Sequence, residues 1–166
     1  MSDRPPGHAI RAALRESAAD LLTYFERRVG IDDAPDLLGE LMATAWRRAS
    51  AVPASPDEAR MWLFGIARHT LHNATRTDRR QSRLLQCLRD VTARTAAPAS
   101  DAGLEVRDAV SRLNEDDAEL ICLIHWDGFS IEAAAQLIGI PASTARGRYQ
   151  RAKATLRAAL SPSIGE

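Results

Sequence analysis

Basic and hydroxyl side chains crowd one short stretch, STARGRYQR at residues 143–151. Ser143, Thr144, Arg146, Arg148 and Arg151 supply donors that suit phosphate oxygens and base edges. A second basic stretch holds Arg76, Arg79, Arg80 and Arg83. Catalytic groupings are missing by comparison. His69 and His72 have neither a nucleophile nor a carboxylate pair beside them, so they read as surface or DNA-facing residues. Cys87 and Cys122 lie outside any CxxC pair or Cys/His cluster. That argues against a zinc site and against a disulfide framework, and each cysteine is expected to pack as a small apolar residue. The expected chemistry is recognition of a polyanion, with no cofactor, no metal and no enzymatic step.

Charge distribution carries the same point, although the formal net charge is +0. Residues 1–59 hold 7 basic and 10 acidic groups, 60–94 hold 8 and 2, 95–142 hold 2 and 9, and 143–166 hold 5 and 1. Screening limits the reach of a charge to about 8 Å at physiological salt, so local fields decide where a polyanion docks. The zero total therefore conceals two basic segments. Charge blocks alone are equally what solvated helix faces carry, so the elements that hold them must decide.

Those elements read as helices throughout. Ile10, Leu14, Ala18, Leu21, Leu22, Phe25 and Val29 recur at helical spacing over residues 8–29, and Gly30 is a stop. A second helix starts near Asp33 with Pro35 in its first turn, and carries Leu37, Leu38, Leu41, Met42, Ala45 and Trp46 on a broad apolar face. Ser55, Pro56, Asp57 and Glu58 form a capped start for a third helix that holds Trp62, Ile66, Ala67, Leu71 and Ala74. Trp62 is expected in the core at its spacing from Ile66. Residues 91–103, VTARTAAPASDAG, lack periodicity and read as a linker. Helical segments follow at 104–113, 115–127, 130–138 and 143–159. With no alternating β-branched run, the expected fold class is all-α, in two small domains joined by a flexible linker: residues 8–90 and 104–160. At 166 residues and 45% hydrophobic composition the chain can fill two such cores. No apolar run reaches the ~18–20 residues of a membrane span, and the first ten residues do not resemble a signal peptide, so the expectation is a cytoplasmic chain without membrane insertion.

Residues 130–153 have the chemistry of a helix-turn-helix. Ser130 caps the first helix and Glu132 favours its positive end. Ala133, Ala134 and Leu137 make a slim apolar face. Gly139 permits a positive φ at the turn, Ile140 plugs the angle between helices, and Pro141 blocks continuation of the first. The second helix places Ala145, Tyr149, Ala152 and Leu156 inside and its hydroxyl and guanidinium groups elsewhere, where its first positions can enter a major groove. Gly147 is the misfit, since glycine inside a helix costs about 1 kcal/mol relative to alanine.

The segment from Ala109 to Leu160 resembles the fourth conserved region of extracytoplasmic-function (ECF) sigma factors of bacterial RNA polymerase. Gly128, Ser130, Ala134, Leu137, Gly139, Ile140, Pro141, Thr144, Arg148, Arg151 and Ala152 match that family's pattern. Ser143 stands for the usual Gly, Ala145 for Val, Arg146 for Lys and Gly147 for Ser. The N-terminal half resembles the second conserved region. DDAPDLLGELMATAWRRA matches its polymerase-docking segment at Asp36, Leu37, Leu38, Glu40 and Trp46, with Gly39 for Gln. ARMWLFGIARHTLHNATRTDRR matches its promoter-melting segment at Trp62, Leu63, Ile66, Ala67 and Arg68, with His69 for Asn and Asn73 for Asp.

The resemblance implies a division of roles. Asp36, Leu37, Glu40, Leu41 and Thr44 would dock on the β′ clamp helices of core RNA polymerase, and the second domain on the β flap. The loop at 51–61, with Arg60, Arg68, Asn73, Arg76, Arg79 and Arg80, would meet the melted minus-ten element. Ser143, Thr144, Arg146, Arg148 and Arg151 would meet the minus-thirty-five element. An anti-sigma factor is the expected regulator. Two rivals stay open: a helix-turn-helix regulator that binds operator DNA without polymerase, and a sigma-like module that sequesters an anti-sigma factor.

Overall fold

The computed structural model describes residues 6–77, 105–106, 108–110 and 112–160. Every regular element among them is helical. The chain divides into two compact units, Met1–Cys87 and Leu88–Glu166. The expected linker at 91–103, together with Arg79, Arg80, Arg83 and Cys87, lies outside the described residues.

The first unit is a three-helix assembly of α1 (Pro6–Val29), α2 (Ala34–Arg47) and α3 (Pro56–Thr77), each packed against both others. α1 stops at Gly30, whose φ of +87° turns the chain and whose N–H donates to the Glu26 carbonyl at 3.0 Å. α2 begins with Pro35 in its first turn, where the missing N–H has no helical partner to lose. A short 3₁₀ turn, Ala49–Ala51, leads out of α2. Only residues 52–55 then remain as loop, because Pro56 already belongs to α3. The expected 51–61 loop is thus mostly the first turns of a helix.

The core of this unit holds Ile10, Leu21, Phe25, Leu41, Leu63 and Phe64, all essentially inaccessible to solvent. Tyr24 meets Phe25 and Phe64 edge-on, with ring centroids 5.5 and 5.4 Å apart, the geometry that places a positive ring edge on a negative face. The buried stripe of α1 is Ile10, Ala13, Ser17, Leu21, Tyr24, Phe25 and Arg28. It is rotated from the expected stripe, and Leu14, Ala18, Leu22 and Val29 are half-buried at its margin. Arg28 tolerates burial because its guanidinium lies 3.6 Å above the Tyr24 ring and Nη1 donates to the Tyr24 carbonyl. Trp62, expected in the core, is half-buried, and Trp46, expected on the apolar face of α2, is 50% exposed.

The second unit contains α4 (Glu115–His125), α5 (Ile131–Ile138) and α6 (Ala142–Leu160), preceded by helical residues at 105–106 and 108–110. Asn114 caps α4: its side chain accepts from the Asp117 N–H at 2.9 Å and donates to the Asp117 carboxylate at 2.8 Å. Ser130 caps α5 by accepting from the Ala133 N–H at 3.1 Å. The core combines Leu120, Ile121, Leu123 and Phe129 with Ala134, Ala135, Ala145 and Ala152. Alanines at the α5–α6 crossing let the two backbones approach closely. Cys122 is buried, packed like a small apolar residue.

Gly139 closes α5 in the left-handed region, φ 81° and ψ 33°, and both Gly139 and Ile140 donate to the Ala135 carbonyl. A Cβ built there meets nothing within 4 Å, so the barrier to substitution is backbone strain alone. Gly139→Ala is expected to cost roughly 1–2 kcal/mol, read as a fall of about 4–15 °C in the melting of the second unit. An unchanged melting curve would show that the turn relaxes.

Candidate nucleic-acid interface

Within the second unit, α6 lies across α4 and α5 with Ala145 and Ala152 turned inward. Its first turn exposes Ser143 and Thr144, and Arg146 and Arg151 are exposed farther along. Two of its arginines are braced by carboxylates from different helices. Arg146 Nη2 donates to Glu132 Oε1 of α5 at 2.7 Å, and Arg148 Nη1 donates to Asp116 Oδ2 of α4 at 3.1 Å. Arg151 extends its Nη1 over Gly147, and no carboxylate pairs with it among the described residues. Tyr149 stacks on His125, ring centroids 5.8 Å apart, and the two share a 3.1 Å hydrogen bond between the phenol oxygen and Nε2. Lys153 Nζ sits 5.2 Å from the Tyr149 ring centre. These contacts lock α6 against α4 and leave its N-terminal turns free to meet a ligand.

The Arg146 guanidinium beside Glu132 holds the carboxyl below its ordinary value of 4.5; its hydrogen bond is the main cause, helped by the Glu132 backbone N–H. A carboxyl lowered in the folded state adds stability above its unfolded pKa, and that stability is lost as pH falls through the folded value. Both side chains are more than half exposed, so the contribution is small. In an NMR titration Glu132 is expected to protonate below pH 4.5, and Arg146→Ala is expected to return it towards that value. A midpoint unmoved by Arg146→Ala would mean the pair does not persist in solution.

In the first unit, Asp36 and Glu40 are exposed on α2, and Thr44 is half-buried and accepts a 2.9 Å hydrogen bond from Arg47 Nη2. Leu37 and Leu41 are not on that surface. They are 9% and 0% exposed and face α1 and α3. The outward face of α2 is instead Asp36, Gly39, Glu40, Ala43, Trp46 and Arg47.

On α3, Arg60 is engaged inside the unit: it pairs with Asp20 of α1 at 3.3 Å and lies over the Phe64 ring, 4.7 Å from its centre. Arg68 is half-buried. Asn73 is exposed, with Nδ2 3.2 Å from His69 Nε2. Gly65, His69, His72 and Asn73 line the outward face of the helix at successive turns, and Arg76 continues along the same helix with its side chain outside the described residues. α3 thus gathers Asn73 with the two exposed histidines, His69 and His72, while Arg60 and Arg68 flank that face.

Among the described residues no group of three or more His, Cys, Asp or Glu is placed to hold a metal ion, and no helix is long and apolar enough to cross a membrane.

Comparison with known proteins places this geometry. Residues 103–156 match the family described as Sigma-70, region 4. The chain is 32% identical to the ECF RNA polymerase sigma factor EcfG of Rhodopseudomonas palustris over 135 residues, 78% of this chain and 72% of that protein. It is 28% identical to the ECF RNA polymerase sigma factor SigC of Mycobacterium tuberculosis over 161 residues, 94% of this chain and 85% of that one. Two solved structures share the fold. One is the sigma factor RpoE of Bartonella quintana in complex with the anti-sigma factor NepR, with a TM-score of 0.62, 24% identity, and 90% of this chain and 96% of that chain covered. The other is CnrH in complex with the cytosolic domain of CnrY, with a TM-score of 0.64, 22% identity, and 95% and 96% covered.

Proposed function

The chain belongs to the ECF family of RNA polymerase sigma factors, and from that membership we propose how its two units divide the work. The chain binds core RNA polymerase and directs it to promoters. Its own contribution is binding, in the cytoplasm, and the chemistry of RNA synthesis stays with the polymerase.

The second unit reads the upstream promoter element. The observation that carries this is α6 itself, with an exposed Ser143–Thr144 turn followed by Arg146, Arg148 and Arg151 on a helix fixed by α4 and α5. Hydroxyls and guanidinium groups at the start of such a helix suit base edges and phosphates of a major groove. The domain carrying it corresponds to residues 104–160, and that carrying the first three helices to residues 8–90. The first unit docks on the β′ clamp helices through the outward face of α2, where Asp36 and Glu40 are accessible and Thr44 is partly so. Leu37 and Leu41 support that face from within. The outward face of α3, with Asn73 and the histidines beside it, meets the melted downstream element, and Arg68, Arg76, Arg79 and Arg80 hold phosphates there. Arg60 joins them only by releasing Asp20. A base extruded from a duplex costs a few kcal/mol, which contacts of this kind offset. Neither unit needs high affinity alone, because tethering both to polymerase raises the effective concentration of each element. Since RpoE is seen bound by an anti-sigma factor, we extend that mode of control to this chain.

Run-off transcription with purified core polymerase tests the reading. The expected result is promoter-dependent initiation only when the chain is added. A footprint on DNA in the absence of polymerase, with no initiation, would favour an operator-binding regulator.

A further inference from the structure

Gly147 has no role inside its own unit. Glycine is a poor residue for the interior of a helix, yet nothing in the second unit needs the missing side chain. A Cβ built at 147 meets only Arg151 Nη1, at 3.7 Å, an ordinary contact with the mobile end of a flexible side chain. Position 147 points away from α4 and α5. At 100° per residue it lies opposite the stripe of Ala145 and Ala152, both fully buried.

Its flanks are unlike its centre. Arg146 and Arg148, one step to either side, are drawn apart by Glu132 of α5 and Asp116 of α4. Between them the outward ridge runs Ser143, Gly147 and Arg151; Gly147 is half-buried beneath the Arg151 guanidinium, and its backbone is bared once Arg151 swings aside to a phosphate. A helix with its side chains is about 10–12 Å across and the major groove is ~12 Å wide, so the side chains on the facing ridge set how deep the helix seats.

We infer that Gly147 is a specificity-determining residue: its bare backbone lets α6 seat close to the groove floor, with Arg146 and Arg148 held on the flanks for the phosphate walls. The inference rests on the DNA-facing reading of α6. It assigns base selection to the Ser143–Gly147 ridge and gives the braced arginines a backbone role that carries no sequence information.

The test selects a randomised duplex library with the full chain bound to core polymerase and sequences the retained DNA. Gly147→Ala is expected to lower enrichment of the upstream element by about tenfold, the effect of ~1.4 kcal/mol in discrimination, and to leave the downstream element unchanged. Its melting temperature is expected to equal or exceed the parent's, so that lost selection is not lost folding. An upstream element as strongly enriched by Gly147→Ala as by the parent would overturn the inference, and so would a lower melting temperature. Arg148→Ala separates this from the reading beneath it. If Arg148→Ala leaves both affinity and salt dependence unchanged, α6 does not face DNA, and both ideas fall together. If Arg148→Ala weakens binding while Gly147→Ala selects like the parent, only the inference about Gly147 fails.

Discussion

Leu41→Ala is expected to lower the melting temperature of the first unit by more than about 10 °C and to abolish polymerase binding with it. Leu41 is fully buried between α2 and its neighbours α1 and α3. Truncating such a leucine removes favourable transfer energy and leaves a cavity, together about 2–5 kcal/mol. A unit of this size has on the order of 4–12 kcal/mol of stability in total. The loss is therefore a large share of what holds α2 in place, and any surface on α2 disappears with it. Glu40→Lys makes the contrast. Glu40 is exposed one residue away, so its reversal should change stability by less than about 0.5 kcal/mol while weakening polymerase capture. Thermal melting and polymerase pull-down on both variants separate the cases. A Leu41→Ala protein that melts like the parent yet no longer binds polymerase would return Leu41 to the contact surface.

The two leucines illustrate what the sequence could and could not tell. Periodicity located α2 well, since Pro35 and the spacing of Leu37, Leu41 and Ala45 mark both its start and its inner face. Assigning Leu37 and Leu41 to polymerase came from resemblance, and apolar residues four apart on a helix in a three-helix unit are more readily core. The same limit appears on α1. Two adjacent stripes, one through Leu14, Ala18 and Leu22 and one through Ala13, Ser17 and Tyr24, both satisfy helical spacing. Only packing against α2 and α3 chooses the second. Arg28 would not be placed inside from its type; burial depends on the Tyr24 face beneath it.

Local turn chemistry was legible for a different reason. Ser130 bonds a backbone N–H three residues away and Gly139 ends the helix by its own φ, so both signals are complete within a few residues. The braces on α6 are not local. Glu132 and Arg146 are 14 residues apart and Asp116 and Arg148 are 32 apart, and nothing but the crossing of α4, α5 and α6 brings them together. Hence the basic side chains of α6 could be picked out from sequence, whereas the carboxylates that pair with them could not.

Those carboxylates decide how the arginines should respond to salt. Each phosphate neutralised by a protein cation contributes about −0.9 to the slope of log K against log salt on duplex DNA. Arg151, exposed and unbraced by any carboxylate among the described residues, would, on the proposed DNA-facing reading of α6, exchange solvent ions for a phosphate. Arg151→Ala is therefore expected to flatten the slope by about 0.9. Arg148 starts from a 3.1 Å pair with Asp116. When it turns to a phosphate, the freed carboxylate recruits a cation and offsets part of the release, so Arg148→Ala should flatten the slope by clearly less. In an Asp116→Asn background the full increment of about 0.9 should return. Charge-assisted hydrogen bonds contribute about 1.5–3 kcal/mol each, so losing both arginines should weaken upstream binding by roughly 10²- to 10⁴-fold at low salt. The measurement is binding of the chain with core polymerase to a promoter duplex across a potassium chloride series. Equal slope changes for Arg148→Ala and Arg151→Ala, with no effect of Asp116→Asn, would mean that Asp116 does not hold Arg148 in solution. No slope change for Arg151→Ala would remove this face of α6 from the DNA.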